Sequence, residues 1–211
     1  MIMTVLKYVL AVTAAYLLGS LSMSIFISKG VMNSDVRAHG SGNAGATNMA
    51  RVFGLRMGFL TLAGDMAKAG LAMLAGWLLL GEWGLCTAGI ACLLGHCFPA
   101  LHEFRGGKGV SAGAAVFLAI DWRVLAAALA VFLITAVLSR KVSLGSIGAA
   151  VTGFAAAAFL GVSVPRIILA AAAMLIVVLQ HRENIIRLVK GTEPDFKAAA
   201  AGKKKPEANR N

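Results

Sequence analysis

Seven apolar runs dominate this chain and leave few folds open to it. The first, residues 4–28, is long enough to span about 30 Å of hydrocarbon at a rise of about 1.5 Å per residue. The others fall at about 57–80, 84–101, 109–120, 124–139, 144–162 and 165–181. In lipid, only helices and closed barrels satisfy their own backbone groups, and these runs lack the alternation of barrel strands. The expectation is an all-α integral membrane protein, a bundle of about seven transmembrane helices. The runs 109–120 and 124–139 are the softest, so one of them is open to a re-entrant reading. With 59% hydrophobic and 14% charged residues, the chain carries more apolar surface than one soluble core of 211 residues would need. A cleaved signal peptide fits the first run poorly: it is too long, has only Lys7 as a basic flank, and shows no cleavage site before soluble sequence.

Charge sets the expected orientation. The connections 29–56, 102–108 and 140–143 and the segment from 182 onward carry sixteen of the twenty Lys and Arg residues. Lys7, Arg123 and Arg166 fall on the other side, and Lys68 lies inside a run. The positive-inside rule then puts the N-terminus outside and the C-terminus in the cytosol. Residues 1–195 read as one membrane domain, and 196–211, with Lys203, Lys204 and Lys205, as a basic, unstructured tail. The net charge of +11 comes with no basic recognition helix or stacking platform, which argues against nucleic acid. Cys86, Cys92 and Cys97 form no CxxC and read as core thiols.

Four polar stretches fall on the expected cytosolic side. The first, Gly40 to Arg51, interleaves three glycines with Ser41, Asn43, Thr47 and Asn48 and ends in a guanidinium. It can bring backbone N–H groups, hydroxyls and a cation to one anion, whereas a flexible linker would rarely pair Asn with Thr and end in Arg. The second joins His96 to Gly106-Gly107-Lys108-Gly109 at the start of an apolar run. Free N–H groups and an ammonium at a helix start suit a phosphoryl group. It is not a Walker A loop, which would need Gly at 102 and Ser or Thr at 109. The third places Ser143 and Ser146 on one helical face, with capping by Ser143 as the plainer alternative. The fourth runs from His181 through Asn184 to Glu193. Asp65 and Lys68 lie inside a run at i, i+3, and burial in lipid obliges such charges to pair.

These stretches, together with Asp65 to Gly70, Gly95-His96 with Phe98-Pro99, and Gly191-Thr192-Glu193, resemble the bacterial acyl-phosphate-dependent glycerol-3-phosphate acyltransferases, the PlsY family, in order over nearly the whole chain. Departures are few: Ser22 where proline is usual, Arg105 where lysine is common, and Gly145 where serine is frequent. The resemblance implies transfer of a fatty acyl group from acyl-phosphate to the 1-hydroxyl of sn-glycerol 3-phosphate, giving lysophosphatidate and inorganic phosphate at the inner membrane of a bacterium. On that reading His181, Asn184, Ser41 and Glu193 are the catalytic candidates. Asn43, Thr47, Asn48, Arg51, Gly106, Gly107, Lys108, Gly109, Ser143 and Ser146 hold phosphate, and Asp65, Lys68 and His96 support the site.

The residues fit that chemistry without the resemblance. Both substrates carry phosphate, one carries an alkyl chain, and the chain offers phosphate sites at the ends of apolar helices. No histidine is followed five residues later by Asp, so a His-Asp base of the kind used by other glycerolipid acyltransferases is unsupported. Positioning and cations suffice for a donor with a good leaving group. The hydroxyl proton is left to a substrate phosphate or to His181. No metal, cofactor or protein partner is implied; the bilayer and the two substrates are the partners. Two other readings remain. A transporter of a phosphorylated metabolite would need polar residues reaching both faces. A structural scaffold would leave four glycine-rich polar stretches on one side unexplained.

Overall fold

The computed structural model describes residues 1–197; most of the basic tail expected from 196 lies outside the described residues. Every apolar run falls on a helix: α1 (Ile2–Ser20), α4 (Leu55–Cys97), α5 (Val110–Ile120), α6 (Trp122–Ser139), α7 (Val142–Phe159) and α8 (Val164–Gln180). Short helix α2 (Met23–Gly30) ends the first run, and short helices α3 (Ala46–Phe53) and α9 (Arg182–Val189) carry parts of the first and fourth polar stretches. The described residues contain no strand.

α4 covers two of the runs because it folds back on itself at Gly81, whose φ of 63° and ψ of −148° interrupt it. The arms 55–80 and 82–97 then press together so closely that a Cβ on Gly84 would overlap the Gly76 carbonyl. Small residues let membrane helices approach in this way, and the core accordingly mixes alanines with Met73, Leu93, Val116, Ile120 and Leu169. Large apolar side chains such as Leu78, Leu138 and Phe159 stay exposed around the bundle, as lipid-facing residues would.

Two expectations need correction. The run 4–28 is not one helix: α1 stops at Ser20, and Ser22 caps α2 by accepting from Ile25 N at 3.5 Å. The break is held from outside the run, because Lys68 Nζ donates to the carbonyls of Gly19 (2.8 Å) and Leu21 (2.7 Å). Nor are all seven runs long enough to cross alone. Judged by length and hydropathy, α1, α4, α6 and α7 qualify, and α8 joins α9 across a 58° bend at His181. α5 has 11 residues and so rises about 16 Å, roughly half the hydrocarbon thickness.

The loops at one end of the bundle are tied together. Ser28 Oγ accepts from Val36 N (3.2 Å), and Ile27, Val36 and Met49 form a small apolar cluster under the loop between α2 and α3. Arg37 pairs with Asp35 and donates to the His102 carbonyl at 3.4 Å, joining this loop to the one before α5. At the other end Arg166 pairs with Glu82, and Arg123 with Asp121, which also caps α6.

Candidate active site

Four of the expected residues meet around one carboxylate. Glu193, only 7% exposed, accepts from Ser143 Oγ at 2.6 Å and Asn184 Nδ2 at 2.6 Å on one oxygen, and from Arg187 Nε at 2.7 Å on the other. Burial pushes this carboxyl up, but those three donors outweigh it and hold it below the ordinary carboxylate range. The Asn184 amide oxygen in turn accepts from Lys108 Nζ. Side chains from the loop before α5, from α7, from α9 and from the C-terminal segment are thus joined in one network. Lys141 fastens that segment, donating to the Glu193 carbonyl and pairing with Asp195 at 2.7 Å, while Phe196 N donates to Arg140 O at 3.0 Å.

Lys108 has no carboxylate partner among the described residues. Burial, then repulsion from Arg187, pushes its ammonium below the usual lysine range. Arg51 lies near enough to repel it as well, and forms no ion pair or side-chain hydrogen bond among the described residues. The turn Gly106–Gly109 that presents Lys108 rests on the end of α4, with Gly106 N on the Cys97 carbonyl (3.2 Å) and Gly107 N on that of His96 (3.1 Å). A Cβ on Gly107 would overlap the His96 ring on one side and approach the Ala44 carbonyl to 3.1 Å on another. The turn is therefore wedged between α4 and the Gly40–Arg51 loop, with Gly109 starting α5 at a φ of 81°.

Within the Gly40–Arg51 loop, Asn48 is 2% exposed and its amide is spent on the backbone. Its nitrogen donates to the carbonyls of Val36 (3.1 Å), His39 (3.0 Å) and Asn43 (3.0 Å), and its oxygen accepts from Ser41 N (3.0 Å). A side chain so committed shapes the loop and has nothing left for phosphate. Ser41 and Thr47 are exposed and Asn43 half-buried, so their polar groups remain available. Ser146 is turned away: its hydroxyl donates to Val142 O at 2.9 Å within α7.

His181 sits at the bend between α8 and α9, 4% exposed, and its Nδ1 donates to the Val177 carbonyl at 2.8 Å. That bond leaves Nε2 as an acceptor. Asp65, Lys68 and His96 lie deeper, all at most 5% exposed, with Lys68 Nζ 3.0 Å and His96 Nδ1 3.6 Å from Asp65 Oδ1. Arg187 and Lys141 were not singled out from sequence. Arg187 was within reach, since it follows Asn184 by three residues on a helix face. Lys141 was not, because its partners lie more than 50 residues away.

A helical membrane bundle whose unpaired cations and glycine turns gather at one end defines an integral membrane protein built to handle a phosphorylated substrate. The family model described as glycerol-3-phosphate acyltransferase matches residues 9–191. A glycerol-3-phosphate acyltransferase of Jannaschia sp. is 43% identical over 85% of this chain and 88% of its own, and one of Ralstonia pickettii is 41% identical over 90% and 94%. The crystal structure of PlsY (YgiH), an integral membrane glycerol 3-phosphate acyltransferase in its glycerol 3-phosphate form, aligns with a TM-score of 0.85 at 35% identity, covering 90% of this chain and 96% of that one. The chain belongs to the glycerol-3-phosphate acyltransferase family.

Proposed function

We propose that this protein transfers a fatty acyl group from acyl-phosphate to the 1-hydroxyl of sn-glycerol 3-phosphate, on the cytosolic face of a bacterial inner membrane. The products are 1-acyl-sn-glycerol 3-phosphate and inorganic phosphate. The observation that carries the reading is that Lys108, on the Gly106–Gly109 turn, and Arg51, on the helix that follows the Ser41–Gly45 loop, form no ion pair among the described residues. Two such cations accept the dianionic phosphates that both substrates present.

Lys108, Arg51 and the N–H groups at the start of α5 hold phosphate, with Ser41, Asn43 and Thr47 as further donors. Glu193 does not touch substrate; it fixes Asn184 and Arg187, and through Asn184 it aims Lys108. His181 Nε2 accepts a hydrogen bond from the attacking hydroxyl and orients it. The proton passes to a phosphate oxygen of the donor. The hydroxyl oxygen bonds to the acyl carbon, the acyl–phosphate C–O bond breaks, and phosphate leaves carrying the proton. Cations around the leaving group stabilise the charge that develops on it.

A transport role gains nothing from the structure, since Arg166 and Arg123 at the opposite end are matched by Glu82 and Asp121. The test is turnover by the purified protein in detergent with radiolabelled acyl-phosphate and glycerol 3-phosphate, set beside acyl-thioester donors. Lysophosphatidate formed from acyl-phosphate alone is expected. Formation only from the thioester would overturn the donor assignment, and uptake of glycerol 3-phosphate into vesicles without turnover would overturn the enzyme reading.

A further inference from the structure

Below the phosphate-binding turn lies a group of charged atoms that the transfer reaction does not use. Asp65, Lys68 and His96 are 1%, 5% and 4% exposed, yet both Asp65 oxygens and His96 Nδ1 lack a hydrogen bond among the described residues. Lys68 Nζ stands 3.0 Å from Asp65 Oδ1 but off the direction a hydrogen bond needs, and it donates instead to the Gly19 and Leu21 carbonyls. His96 Nδ1 stops 3.6 Å from the same carboxylate oxygen, slightly beyond hydrogen-bond length. Proteins rarely leave three buried polar atoms facing one another unpaired, so an arrangement that does so calls for a purpose.

The purpose is legible on the other side of the imidazole. His96 touches the phosphate-binding turn twice: its carbonyl accepts from Gly107 N, and its ring fills the place a Gly107 side chain would take. The ring meets the turn at Gly107, and Asp65 lies on the other side of it, 3.6 Å from His96 Nδ1 and 3.0 Å from Lys68 Nζ. We propose that Asp65, Lys68 and His96 form a buried post in which His96 is a positioning residue, setting the height of the Gly106–Lys108 turn and so the reach of the Lys108 ammonium to phosphate. Lys68 anchors the post in the break between α1 and α2, Asp65 holds the ring from below, and the ring carries the turn. The inference rests on the assignment of Lys108 to phosphate.

The experiment compares wild type with His96→Gln, Asp65→Asn and Gly107→Ala, all purified in detergent with their melting temperatures recorded. Wild-type turnover of acyl-phosphate, measured first, tests the parent reading separately. His96→Gln and Gly107→Ala should each raise KM for a phosphate-bearing substrate by about tenfold or more while kcat falls less, because a misplaced ammonium weakens binding before it weakens chemistry. The double variant His96→Gln/Gly107→Ala should be no worse than the poorer single variant, since both perturb one contact. Asp65→Asn should move the His96 ring ¹⁵N signals and raise the same KM. Should Asp65→Asn fail to fold, the other two variants and their combination still decide the matter. Unchanged KM in folded His96→Gln and Gly107→Ala would overturn the proposal, as would a melting temperature lowered with kinetics unaltered, or a loss confined to kcat.

Discussion

Glu193→Gln is the substitution for which the structure gives the most definite expectation. The carboxylate takes two donors on one oxygen, Ser143 and Asn184, and one, Arg187, on the other. A glutamine of the same shape must point its NH₂ at one set. Keeping the oxygen towards Ser143 and Asn184 sets the amide nitrogen against the Arg187 guanidinium, donor against donor; the reverse orientation sets it against the Asn184 amide, while the Ser143 hydroxyl can turn to accept. Either choice breaks one contact and removes the charge that faces Arg187, a charge-assisted hydrogen bond worth about 1.5–3 kcal/mol when buried. The Arg187 side chain is 38% exposed, so solvent reduces that to about 1–2 kcal/mol, roughly five- to thirtyfold in kcat/KM if the loss falls on the placement of Asn184 and Lys108. Phosphate release, followed at varied glycerol 3-phosphate, measures it. A cycle with Arg187→Ala should be non-additive, because each substitution already breaks the shared contact. Glu193→Gln within twofold of wild type, or effects that simply add, would refute the hub role of this carboxylate.

Other outcomes follow from the same geometry. Lys108→Ala and Arg51→Ala should each lower kcat/KM by about ten- to a hundredfold, the value of a charge-assisted contact of about 1.5–3 kcal/mol. Replacing Cys86, Cys92 and Cys97 together should retain substantial turnover with no acyl-enzyme in mass spectra, since all three are free, buried thiols outside the network. In a cysteine-free background, Arg105→Cys and Asp195→Cys should react with impermeant thiol reagents only once the inner face is open, whereas Trp122→Cys should react from outside.

The helices were legible in the sequence because each apolar run is a local feature, and every run became one. The exceptions are tertiary. Nothing local ends α1 at Ser20; the carbonyls there are captured by Lys68, more than 45 residues on. The half-length of α5 was visible as a weak run, but only its neighbours show where it begins. In the site, residue types that suit phosphate stand out in the sequence, Lys108 and Arg51 among them, and neither forms an ion pair among the described residues. What each amide does was not legible. Asn48 and Asn184 look alike in sequence, yet one is consumed by its own loop and the other joins Lys108 to Glu193. Likewise Ser143 and Ser146 share a helix, and only the first meets the carboxylate.

The shortness of α5 has a consequence for selectivity between alcohols. A helix of 11 residues among neighbours of 17 and 18 begins beside Val177 rather than at the end of α8, which recesses the Lys108 turn by about one helical turn. A fatty acyl donor then meets its cations without lifting its tail from the bilayer. Water is the competing nucleophile for any activated acyl group, and bulk water thins steeply at that depth. An alcohol that brings its own phosphate is drawn down by Arg51 and Lys108, whereas a water molecule has no such handle. Recessing the turn thus biases the enzyme towards acylation over wasteful hydrolysis, without any group dedicated to excluding water.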